Sequence, residues 1–217
     1  GEVANAHLEN VAVGTHTVRV ELDGYLDAVE IVTVASGDIA AVHFNLDAAA
    51  ITLLPGWNFV STPKRLADGQ DTIAIFDGVN TDERPILHYN GIDQWEAMSR
   101  DEAFQPLDGV WIYANGTYEI PLAFAAASNS PPPAKYLDEG WNTIGFSDTV
   151  PETAVNTLRT VETTWANLWG WKADEQAYDI SIIRGATGRH GEIRELSPFQ
   201  GYWVYMNDAD TLTAIGA

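Results

Sequence analysis

A mostly-β protein is predicted by three observations on the 217-residue chain. Near the N-terminus, Thr17, Arg19 and Glu21 alternate with Val18, Val20 and Leu22, the period-two signature of a strand with one face inward. Further on, "PLDGVWIYAN" (106–115) and "PFQGYWVYMN" (198–207) place Pro, Gly, Trp, Tyr and Asn at the same internal positions. Gly56-Trp57-Asn58 likewise returns as Gly140-Trp141-Asn142. The reading is an N-terminal antiparallel sheet followed by a duplicated β-rich unit with one short helix per copy.

In the first segment, residues 11–46, turn chemistry divides three strands. Asp23-Gly24 closes the first, "AVEIVTV" is the second, "ASGD" makes the next turn, and "IAAVHFNL" is the third. A sheet this small leaves an edge open to pairing.

These residues resemble a known family. "VGTHTVRVELDGYLDAVEIVTVASGDIAAVHFNL" is similar to the C-terminal two-thirds of a PEGA domain, a small β-sandwich-like module of bacterial and archaeal cell-surface proteins. Gly14, His16, Val18, Val20, Gly24 and Tyr25 carry the match. Only "GEVANAHLEN" stands before it, so the N-terminus reads as truncated or processed. The resemblance implies that an upstream strand or another chain fills the open edge.

From "LLPGWNFVSTP" the texture changes, and it returns at "LDEGWNTIGFS". After each Gly-Trp-Asn come an apolar strand and a short helix. In the second copy Thr149 is the expected N-cap and Pro151 lies in the first turn, with Val155, Leu158 and Val161 on one face. In the first copy "GQDTIAIFDGV" is the counterpart, ended by Gly78. Aromatic strands "ILHYN" and "NLWGW" follow, and then a returning strand bearing Trp95 or Tyr178. The organisation reads as a partial PEGA-like domain over 1–48, unit one over 54–124, a proline-rich linker over 125–136 and unit two over 137–217. Gly56 and Gly140 lie 84 residues apart and Pro106 and Pro198 lie 92 apart. The second unit therefore carries an insertion, assigned to a protruding loop over 184–196. The two units are similar to "GWNLIS…GYWVY" modules of exported, S-layer-like proteins, found in large archaeal surface proteins. That family implies no catalytic residues.

Composition narrows the functional classes. Eleven basic residues against 31 acidic ones give a formal charge of −20, which opposes binding to nucleic acid or to an anionic membrane. No apolar run approaches the ~20 residues of a spanning helix. With no cysteine, disulfides, thiolate catalysis and Cys-based zinc sites are excluded.

Residue patterns for chemistry are sparse. His7, His16, His43, His88 and His190 form no metal-ligand spacing, and no G-x-S-x-G elbow or Walker loop occurs. No cofactor is expected beyond a loop-held calcium ion. Its candidates are Asp77, Asp82 and Glu83 in "DGVNTDERP", and Asp208 and Asp210 after Asn207, although the EF-hand spacing fails. Asn115-Gly116-Thr117 is a glycosylation sequon at a turn.

Eight Trp and eight Tyr raise a carbohydrate reading. In "GVWIY", however, Trp111 and Tyr113 share one face while Val110 and Ile112 share the other. Both faces are apolar, as in a central strand covered on both sides. The repeated aromatics are therefore assigned to packing, and the non-repeated Tyr118, Tyr136, Trp165 and Trp171 to possible ligand contact. The expected role is a non-enzymatic structural or adhesive module of an exported envelope protein, partnered by other surface domains or glycans. A glycan-binding module is the alternative, and an unrecognised hydrolase the second alternative.

Overall fold

The structure, a computed structural model, describes residues 6–22, 25–91, 94–126 and 130–214. Its regular structure is mostly antiparallel strand.

The N-terminal segment forms a hairpin of β1 (Gly14–Val20) and β2 (Ala28–Val34), with His16 opposite Val32 and Val18 opposite Glu30. The expected third strand over 39–46 makes no ladder. Burial does alternate there, with Val42, Phe44 and Leu46 half-buried and His43 and Asn45 exposed. Alternation specifies which side chains turn inward and not which edge supplies hydrogen bonds. Pairing is confined to the end of the segment, where Tyr25 bridges Ala48 and Leu26 N donates to Asp47 O (2.8 Å).

The first unit contains β3 (Ala50–Leu53), β4 (Gly56–Val60), β5 (Leu87–Tyr89), β6 (Trp95–Ala97), β7 (Val110–Ala114) and β8 (Tyr118–Pro121). Its main sheet runs β4-β7-β5-β6, with β3 paired to β8. The second unit contains β9 (Ala134–Leu137), β10 (Gly140–Gly145), β11 (Glu152–Thr153), α1 (Ala154–Thr157), β12 (Trp165–Lys172), β13 (Ala177–Tyr178), β14 (Ile182–Ile183), β15 (Glu195–Leu196), β16 (Gly201–Met206) and β17 (Asp210–Thr213). Its main sheet runs β10-β16-β12-β13, with β9 paired to β17. The six strands of the first unit thus each have a counterpart with the same partners in the second, which adds β14 on β12 and the short pair β11–β15.

Each unit begins one strand earlier than the Gly-Trp-Asn landmark suggests, because "AITL" and "AKYL" are strands. The tail of the expected 125–136 linker is accordingly part of β9. The short helices also differ from expectation. In the first unit Ile73–Phe76 is a 3-10 turn. In the second, Thr153 rather than Thr149 precedes the helix, whose buried residue is Ala154 while Val155 is half-buried; Leu158 caps it and Val161 ends the 3-10 turn that follows, both of them buried. Residues 149–151 stay outside the helix because the chain first pairs Glu152–Thr153 with Glu195–Leu196.

Each unit has its own core. Ile51, Leu53, Phe104, Val110, Ile112 and Ala114 anchor the first; Leu137, Ile144, Leu158, Trp165, Leu168 and Val204 anchor the second. Two residues trespass. Leu107, from the first unit, belongs to the core of the second, and Phe199, from the second, packs against the core of the first.

Candidate functional site

The chemistry-bearing surfaces are organised by the Gly-Trp-Asn strands and the Pro-x-x-Gly turns. Gly56 and Gly140 take positive φ (105° and 99°), which lets β3 bend into β4 and β9 into β10. The following Asn pins the bend. Asn58 Nδ2 donates to Leu54 O (2.8 Å) and Gly56 O (3.0 Å), while its Oδ1 accepts from Leu54 N (2.8 Å). Asn142 does the same with Asp138 and Gly140. Both Asn side chains are buried, and they satisfy backbone groups that the bend removes from any ladder.

The Pro-x-x-Gly turns hold Leu107 and Phe199 at φ +72° and +64°. That backbone is uncommon for a residue with a side chain. It aims each side chain into the opposite unit, as a reciprocal pair of plugs. Around them the backbones exchange bonds in a two-fold manner. Ser61 N donates to Phe199 O and Gly145 N to Leu107 O, both at 2.8 Å. A Cβ at Gly109 would lie 2.6 Å from Ile144 O, and one at Gly201 would lie 2.4 Å from the Phe59 ring. Glycine is required there by close approach of the other unit.

Outside the plugs, the aromatic faces of the two main sheets meet. Trp111 lies 5.1 Å from Trp171 and Trp203 lies 5.0 Å from Tyr89, both edge-on. Phe59 stacks on Trp111 at 4.5 Å. Trp171 Nε1 donates to Trp57 O (2.8 Å), and Gln176 both accepts from Trp57 N and donates to Trp57 O. The opposite faces of β7 and β16 present Val110, Ile112, Tyr202 and Val204 to their own cores. Burial pushes the Tyr202 hydroxyl up to about 12, so it stays protonated at neutral pH, accepting from Ser197 N.

The hairpin is held to both units by one buried carboxylate. Asp27, 7% exposed, accepts from Arg19 on β1 and from Lys64 Nζ (3.0 Å) of the first unit. Arg19 in turn reaches Asp148 (3.4 Å) of the second. Burial alone would raise the Asp27 carboxyl; the hydrogen bonds from Arg19 and Lys64 hold it below the ordinary range.

The four aromatics assigned to ligand contact fall into different environments. Trp165 is 1% exposed and belongs to the second core, which corrects its assignment as an outward ring; β12 points it inward beside Leu168. Trp171 is committed to the seam. Tyr118 is half-buried, with its hydroxyl donating to Asn115 Oδ1 (2.9 Å). Tyr136 stands 63% exposed on β9. Sequence reasoning missed Trp95 and Trp141, exposed at 50% and 38%. The signal available for Trp141 was its place at the start of β10, just after the bend at Glu139.

The calcium candidates do not converge. Asp77 pairs with Arg100 (2.7 Å), Asp82 faces Arg84 (3.5 Å), and Asp82 and Glu83 both take positive φ. Asp210 accepts from Thr164 Oγ1 (2.8 Å) and from Thr211 N (2.7 Å), while Asp208 lies exposed in the turn after β16. Among the described residues no group of three or more His, Asp or Glu is placed to hold a metal ion. Asn115 is exposed at the turn between β7 and β8, its amide shared between Tyr118 and Asp82. Ser181 and His190 approach each other (3.1 Å), but His190 Nδ1 also lies 2.9 Å from Ser181 O. A nitrogen donating to that carbonyl has no lone pair for the hydroxyl proton. The 184–196 segment is tied down by Glu192 to Gly185 N (2.8 Å) and by Arg194 to Asp179 (2.7 Å), with Ile193 left 73% exposed.

A groove of about 430 Å³ runs between β3–β4 and the 172–179 hairpin, bordered by Thr52, Phe59, Lys172, Asp174 and Asp179. No helix among the described residues is long and apolar enough to cross a membrane. No curated protein and no solved structure matches the chain. The PEGA domain family matches residues 3–49, the segment that carries the docked hairpin.

Proposed function

We propose that the chain is a non-enzymatic structural or adhesive module of an exported cell-surface protein, built from a PEGA-type hairpin and a duplicated Gly-Trp-Asn unit of the S-layer-like kind. The observation that carries this reading is the mutual plugging of the two units by Leu107 and Phe199. It spends the repeated aromatic residues on rigidity and makes the pair suited to hold neighbouring domains at a fixed spacing. The PEGA match accords with placement outside the cell. Protease treatment of intact source cells, followed by immunodetection of this chain, tests it. Loss of signal without lysis is the expected result; protection until lysis overturns the placement.

A second reading, glycan binding, rests on Tyr136 and Trp95, both half or more exposed. Titration with cell-wall polysaccharides, followed by Trp fluorescence, checks it. No shift with any of them would sink it.

A further inference from the structure

We propose that Trp141 and Tyr205, on the second unit, receive an arginine side chain from a partner protein. The first unit displays the filled form of the same arrangement. Trp57 and Tyr113 are cross-strand partners whose rings meet edge-on, 5.6 Å apart at 79°. Over Tyr113 lies the Arg84 guanidinium, 3.7 Å from the ring centroid, at the distance of a cation held by an aromatic face. Trp141 and Tyr205 are cross-strand partners in the same register, 5.2 Å apart at 76°. Among the described residues, the chain's own cations lie over Phe124 and Tyr113 and none lies over this pair.

The strand ends beside the two pairs differ in charge. Next to Trp57 and Tyr113 stand Leu54, Pro55 and Gly116, all uncharged; Arg84 takes its carboxylate from Asp82. The corresponding positions beside Trp141 and Tyr205 are Asp138, Glu139 and Asp208. None of these three makes an ion pair among the described residues. The second unit therefore keeps the aromatic pair, lacks the internal cation and carries three acidic residues at the adjoining strand ends, with Asp138 Oδ2 beside Gly91. A guanidinium fits better than an ammonium because it is planar, stacks on a ring and hydrogen-bonds to carboxylates at its rim. A nucleic acid or an anionic glycan is repelled by the same rim. The partner is thus a protein presenting arginine on an exposed segment. The inference is independent of cellular location, so its failure leaves the scaffold reading intact.

The test titrates the whole chain with the peptide acetyl-Gly-Arg-Gly-Arg-Gly-amide, followed by NMR of the Trp indole N–H signals. A second peptide carries citrulline, which keeps the shape and removes the charge. The expected result is a saturable shift of the Trp141 indole, at least fivefold weaker with citrulline. It should be abolished by Tyr205→Ala and weakened at least threefold by combined Asp138→Asn, Glu139→Gln and Asp208→Asn. Unmoved Trp111 and Trp171 indoles certify the fold of each variant; if Tyr205→Ala disturbs them, Tyr205→Leu replaces it. Equal response to both peptides, shifts confined to other sites, or a Trp141 shift seen only with neutral oligosaccharides such as cellohexaose would overturn the proposal.

Discussion

Asn142 and its counterpart Asn58 show how a single side chain can decide a bend. Each makes three hydrogen bonds to backbone that no strand satisfies. Asn142→Ala leaves a buried N–H and carbonyls unpaired, a loss of about 2–3 kcal/mol, readable as a lowered urea midpoint at unchanged slope. The glycines at the seam differ from one another. The Cβ of Gly109→Ala would meet a backbone carbonyl, whereas that of Gly201→Ala would meet the Phe59 ring. Gly109→Ala should therefore be the costlier, by about 1–3 kcal/mol as overpacking goes, and Phe59→Leu should restore stability to Gly201→Ala only. Thermal denaturation of Gly109→Ala and Gly201→Ala, each with and without Phe59→Leu, and of Phe59→Leu alone checks this.

At the scale of elements, the alternation of residues 17–22 and of "VWIYA" fixed β1 and β7 in advance, because period two is written in the side chains themselves. The third N-terminal strand was overread for the same reason, since Val42 and Phe44 alternate without a partner edge. "AITL" and "AKYL" went unread because four residues are too few to show a period. Nor did composition disclose that Trp111 and Trp203 face another unit rather than a ligand or their own core. Both environments are apolar, and only the fold says whose surface supplies them. The hairpin's attachment was hidden too, since Asp27 is one acid among 31 until Arg19 and Lys64 converge on it. Its carboxyl is depressed in the folded state. Its contribution is therefore full above the unfolded value near ~3.9 and is lost as pH falls through the lower folded value. Asp27→Asn should abolish that acid-side loss and free the hairpin at neutral pH, with a cost of about 3 kcal/mol as Lys64 loses its carboxylate while Arg19 keeps Glu21 and Asp148. Backbone amide exchange in β1 and β2, measured between pH 2 and pH 7, reports both effects.

For the whole molecule, the two units behave as one interface closed on itself, as two copies of a homodimer do. The plugs, rather than the chain between the units, are therefore expected to hold them together. Cleavage at a protease site inserted within Pro131–Pro133 should leave both pieces co-eluting on gel filtration under native conditions. Leu107→Ala, which removes a plug buried to 1%, costs about 2–4 kcal/mol and should let the cleaved pieces separate. Co-elution lost already in the parent protein would show that the linker, rather than the plugs, joins the units.

The reciprocal bonds from Ser61 and Gly145 also carry a kinetic signature. Each amide is donated to a carbonyl of the opposite unit, so neither can meet deuterium through fraying of its own sheet alone. Their protection is a property of the pair: the two hydrogens, 84 residues apart in sequence, should be surrendered together at one rate. That shared rate is a clock for how often the molecule comes apart at its middle.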